Sequence, residues 1–172
     1  MYPLFADMLA RIDHQTAGMT AADLEHHPPG KWSPAGILEH LSLTFDGTRR
    51  NLQKCLDSGT RRVTRPALRQ RLGVLIVVEL GRFPGRAEAP ARTLPTGLAG
   101  EAALEAIRRN LAAMDRVMAE CEARFGTRGK IADHPLLGAL SLRQWRRFHR
   151  AHTRHHLRQI ARLRGSAFRE SL

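Results

Sequence analysis

"GEAALEAIRRNLAAMDRVMAECEARF", residues Gly100 to Phe125, is the stretch whose reading decides the fold. Its apolar positions Leu104, Ile107, Leu111, Met114, Met118, Cys121 and Phe125 recur at steps of three and four without a break. At 3.6 residues per turn these side chains form one stripe along a helix, and such a stripe is stable in water only when other elements cover it.

The flanks supply the covering elements. Upstream, "WSPAGILEHL" has Ser33 placed to cap a helix and Pro34 at its first position, where the missing N–H costs nothing. This second core helix is expected to reach Ser58 or Gly59. A first helix is read from Pro3 to Gly18, with Leu4, Met8 and Ile12 on one face. A short helical piece follows, since Thr20 and Asp23 have capping-box spacing, and "HHPPG" (His26 to Gly30) ends it. Residues 60 to 98 are rich in Arg, Pro and Gly. Within them Pro66 to Leu80 is read as helix in preference to a buried strand, and "GRFPGRAEAPARTLPTG" as an extended loop over the surface. Downstream, "GTRGKIADHPLLGAL" is read as a connection, after which the Ser141/Gln144 spacing opens a last helix running to about Arg164, before Gly165. The expected fold is all-α: one domain over residues 1–172, an antiparallel four-helix bundle with an extended Pro/Arg-rich connection between its second and third core helices.

Composition narrows the function classes. The longest apolar run, Leu72 to Val78, is interrupted by Gly73 and falls far short of the ~20 residues of a membrane span. The N-terminus carries Asp7 and Asp13 and has no basic start or small-residue cleavage site, so no signal peptide and no membrane partner are expected, and a cytoplasmic location is. Cys55 and Cys121 form no CxxC and fall on helical seams, as core thiols do. The formal charge is +12, and from Ser141 to Leu172 nine arginines face one acid, Glu170. A basic helix of this kind attracts anions. No aromatics interleave the arginines as a base-stacking platform needs, which argues against a nucleic-acid partner.

The last helix concentrates the chemistry. Steps of three and four from Leu142 give Trp145, His149, His152, His156, Ile160 and Leu163, so the stripe is apolar at its ends and imidazole in its middle. A buried polar group left unpaired costs ~1–3 kcal/mol, and three stacked histidines are hard to justify as packing. His152 and His156, four apart, can direct ring nitrogens at one ion. His40, on a face shared with Gly36, Leu43 and Gly47, offers a third ligand from the second core helix, with two glycines leaving room around it. His155 points off the seam and is read as a hydrogen-bonder near the site, with a ligand role in place of His156 as the alternative. His149 is left between fourth ligand and pocket residue. Gln159 is read as an ordinary polar helix residue, the alternative being a hydrogen bond to a ligand ring. His14, His26, His27 and His134 are read as surface or loop residues.

"WSPAGILEHL" and "HRAHTRHHLRQI" resemble motifs of the DinB/YfiT-like superfamily of bacterial four-helix-bundle proteins, which share one histidine on the second helix and H-x-x-x-H on the last. The segment "HPLLGALSLRQWRRFHRAHTRHHLRQ" is especially similar to an uncharacterised DinB-related subfamily. The resemblance implies that His40, His152 and His156 bind a divalent metal ion, usually zinc or nickel, with an open fourth position. It further implies a metal-dependent transferase, one that activates a low-molecular-weight thiol cofactor in some members, and a frequent homodimer.

Three nitrogen ligands with an open position are the signature of a catalytic-type site, so the functional expectation is a metal-dependent transferase or hydrolase. A non-catalytic metal or ligand binder and a basic nucleic-acid binder are the alternatives. Glu39 is turned by about 100° from His40 and Asp46 lies on yet another face, so the sequence assigns no general acid or base and no catalytic residue. Arg150 or Arg154 is expected at the mouth, holding the carboxylate of a thiol cofactor.

Overall fold

The computed structural model describes residues 1–83 and 88–170, with side chains as far as Arg164. Four long helices carry the chain: α1 (Pro3–Thr16), α3 (Pro34–Ser58), α5 (Gly100–Phe125) and α6 (Leu142–Glu170). Shorter pieces are α2 (Ala21–Glu25) and α4 (Leu68–Gly73), the latter continuing as a π-helical turn over Val74–Glu79. A 3₁₀ turn at Ala91–Thr93 and a two-stranded antiparallel sheet, β1 (Lys130–His134) and β2 (Gly138–Ser141), complete it.

The helix starts follow from local chemistry. Ser33 Oγ accepts from the Gly36 amide, Pro34 takes the first turn, and Gly59, at φ 67°, closes α3 in the left-handed conformation that glycine adopts without penalty. Thr20 and Asp23 form the reciprocal capping box read from their spacing. The α5 stripe is buried as its period requires: Ile107, Leu111, Met114, Met118 and Cys121 have no exposed surface, while Leu104 and Phe125 at its ends are partly covered. It faces Leu38, Leu41, Phe45, Leu52 and Cys55 of α3, with Phe5, Met8 and Ile12 of α1 closing one side. Each fully buried Leu or Ile contributes roughly 1.5–3 kcal/mol, so the α3–α5 contact anchors the molecule.

Two expectations are corrected. The connection before α6 is a β-hairpin, in which Pro135 to Leu137 form the loop and Gly138 follows at φ 67°. Its inward residues Ile131, Ala132, Ala139 and Leu140 join the core, so the fold is helix-dominated but not purely α. The last helix does not stop before Gly165 but continues to Glu170, because a helix-interior glycine costs only ~1 kcal/mol. The segment read as helix over Pro66 to Leu80 is helical over Leu68–Glu79, with Leu68, Leu72, Leu75 and Leu80 facing solvent and Val77 and Val78 buried. Part of the proline-rich loop, residues 84–87, lies outside the described residues. Among the described residues no helix is long and apolar enough to cross a membrane.

Candidate metal centre

The α6 seam reads in three dimensions as it does in sequence: Leu142, Trp145, His149, His152, His156 and Ile160 are all buried. The arginines lie mainly on other faces. Arg146 is the exception, buried over the Tyr2 ring and paired with Glu122.

His40 of α3 meets His152 and His156 of α6 through the Nε2 atoms. His152 Nε2 lies 3.2 Å from His40 Nε2 and 3.0 Å from His156 Nε2, and the three nitrogens fall within 4.8 Å of one another. Ligand nitrogens on a tetrahedral zinc are about 3.3 Å apart, so the two short contacts match that spacing to within a few tenths of an ångström.

Proton accounting shows why this cluster suits a cation. His40 Nδ1 lies 2.7 Å from the Thr93 carbonyl, which only accepts, so Nδ1 carries the proton and Nε2 presents a lone pair. His156 Nδ1 donates likewise to Gln159 Oε1 at 2.8 Å, baring its Nε2. His152 can place one proton between these two lone pairs, which leaves one unanswered, and its own Nδ1 has no partner among the described residues. Burial holds all three imidazoles neutral. It lowers the His40 pKa despite the Thr93 bond, takes His156 down to about 3, and puts His152 well below its ordinary range with help from its two histidine neighbours. Neutral imidazoles with converging lone pairs are the protonation state a metal ion needs.

The surrounding residues set ring orientation. Gln159, read as an ordinary polar residue, holds His156 through its oxygen and contacts His155 Nε2 at 3.3 Å through its nitrogen. His155 thus stands one hydrogen bond behind the cluster and is not one of the three converging rings. Nor is His149, which is fully buried with Nε2 3.1 Å from Thr48 Oγ1. Trp32 packs on His40 at 4.9 Å between ring centroids, and Phe148 stacks on His152 at 5.4 Å.

The sequence reading missed the strap over His40. The segment after the 3₁₀ turn is bound to α3 by Glu39, whose carboxylate accepts from Thr96 N (2.8 Å), Thr96 Oγ1 (2.6 Å), Gly97 N (3.0 Å) and Leu98 N (3.0 Å). Burial alone would raise the Glu39 pKa, but these donors outweigh it and the net shift is downward. Glu39 is therefore a structural acceptor. Asp46 is committed too, to Arg49 and Arg50.

A cavity of about 610 Å³ opens from the cluster. Of the two glycines flanking His40, only Gly47 opens on it: a Cβ there meets nothing within 4 Å, whereas at Gly36 it would touch Ser33, Trp32 and Pro95. The arginines expected at the mouth are elsewhere. Arg154 donates to the Gly81 carbonyl beside a separate hollow, and Arg150 is exposed and lines neither; among the described residues the cations on the cavity are Arg50, Lys54 and Arg92. His134, read as a surface residue, also lines it. Its Nδ1 accepts from the Leu136 and Leu137 amides, and burial lowers its pKa to about 4.

Fold and site together define a class: a helix-dominated protein with a buried, neutral three-histidine cluster, able to hold a metal ion at the end of an internal cavity. The chain belongs to the family described as "Protein of unknown function (DUF1569)", whose profile matches residues 5–163. No match was found among curated proteins or among solved structures.

Proposed function

We propose that the chain is a four-helix-bundle protein of the DinB/YfiT-like kind that binds one divalent ion, zinc or nickel, through His40, His152 and His156. The observation that carries the reading is the convergence of three Nε2 atoms, two of them stripped of protons by Thr93 and Gln159. Trp32 and Phe148 pack on the His40 and His152 rings and line the cavity with them, and the cavity is the approach for a substrate atom. An ion held there supplies Lewis-acid chemistry, favouring the deprotonated form of a water or thiol at neutral pH. The protein's own contribution is to hold neutral imidazoles in fixed orientation and to admit a substrate from one direction. This supports a metal-dependent transferase or hydrolase, with a small thiol as the natural co-substrate. Commitment of Glu39 and Asp46 to structural partners favours a second reading, a metal-binding module without catalysis.

Elemental analysis of protein purified without a nickel column tests the metal. About one ion per chain is expected in the wild type, with at least a tenfold loss in His40→Ala, His152→Ala and His156→Ala. A wild type that takes up no added zinc or nickel overturns the proposal.

A further inference from the structure

The cavity has a direction. Along α3 it is lined by His40, Thr44, Gly47, Asn51 and Lys54, spaced at three and four residues, so one helix face forms its floor. The fourteen positions from His40 to Lys54 rise about 21 Å at 1.5 Å each. The walls opposite carry Trp145 and Phe148 of α6, Pro135 and Leu136 of the hairpin loop and Pro90 of the strap, with the charged Glu88 and Arg92 on the strap side, Arg92 next to Thr93 at the cluster end.

The two ends differ. One is the histidine cluster. At the other stands Lys54, which has no ion pair among the described residues, while Arg50 beside it is paired with Asp46. The nearby Asp133 carboxylate is engaged by the Thr64 amide and hydroxyl. We infer that the cavity takes an elongated, largely apolar ligand ending in a carboxylate, with the carboxylate at Lys54 and the opposite end delivered to His40, His152 and His156. Delivery to the cluster rests on the proposed metal site; the groove and its anionic end do not.

The two tryptophans of the chain, Trp32 and Trp145, both line this cavity, so intrinsic fluorescence reports its occupation. Straight-chain alkanoates from hexanoate to tetradecanoate, below their micellar concentrations, are titrated with the matching alkylamines as controls. Expected are an affinity that rises up to about fourfold per methylene until the groove is filled, alkylamines at least tenfold weaker, and about a tenfold loss for Lys54→Glu. Gly47→Leu, which places its side chain in open space on the groove floor, is expected to abolish the chain-length dependence while circular dichroism and metal content stay unchanged. Amines that match the alkanoates, or a Gly47→Leu variant that binds as the wild type does, overturn the inference. Alkanoate binding by a protein that takes up no metal would sink the metal proposal and sustain the groove. A metal-loaded protein blind to every alkanoate would do the reverse.

Discussion

Replacing Glu39 by alanine removes the acceptor of three backbone amides and one hydroxyl in a side chain that is 2 % exposed. A buried donor left unpaired costs ~1–3 kcal/mol, and solvent reaching the released strap recovers part of that. A net loss of about 3–5 kcal/mol is therefore expected, comparable to the whole margin of a weakly stable domain. Glu39→Gln keeps one acceptor oxygen but turns an NH₂ toward donors, so about 2–3 kcal/mol is expected. The effect reaches the cluster because the strap also carries Thr93, whose carbonyl fixes the His40 tautomer. Loss of such a supporting bond lowers metal affinity by about 10- to 100-fold. Urea unfolding of the metal-free protein measures the first quantity, and competition for zinc against a chromophoric chelator measures the second. The reasoning fails if Glu39→Ala unfolds within 1 kcal/mol of the wild type, or if it is destabilised as expected and yet binds zinc as tightly.

Further expectations follow from the same buried groups. Burial takes His149 from 6.5 in the unfolded chain to about 3, so the unfolded state binds the proton first and stability falls as pH drops below 6.5. At pH 4.5 the loss from this residue is about 2–3 kcal/mol, which urea midpoints at pH 7 and 4.5 should show, with a flatter profile in His149→Phe. Cys55 and Cys121 are buried, and burial pushes the Cys121 thiol up to about 12, so neither should react with a thiol reagent until the protein is unfolded in urea. His155→Ala should retain the metal with at most a severalfold loss of affinity, because it acts through Gln159; equal loss in His155→Ala and His156→Ala would show that the ligands are misassigned.

What the sequence made legible was what local periodicity and caps encode. Ser33, Pro34 and Gly59 bound α3, the α5 stripe is buried over its middle, and the α6 seam puts its histidines inside. The hairpin escaped because strands of five and four residues offer too few alternations to register as a period. His134 went unrecognised with it, since its place on the cavity depends on that turn. The support of His40 was illegible for a different reason. Thr93 acts through its carbonyl, which every residue possesses, and Glu39 finds its partners 57 to 59 positions away. The one local signal, an acid beside a candidate ligand, pointed toward acid–base chemistry and away from the backbone it binds.

That anchorage also bears on how such a chain can vary through evolution. Residues 39 and 40 of α3 together seize a short stretch ending at Leu98, so the strap's register is set where it lands and not by the length of chain leading to it. Closing a flexible loop costs only about 0.6 kcal/mol for each doubling of its length. Between α3 and the strap the chain is held at Thr64 by Asp133 and at Val77 and Val78 by the core, so it is at the positions between these anchors that homologous chains can differ in size and sequence while keeping the same histidine cluster.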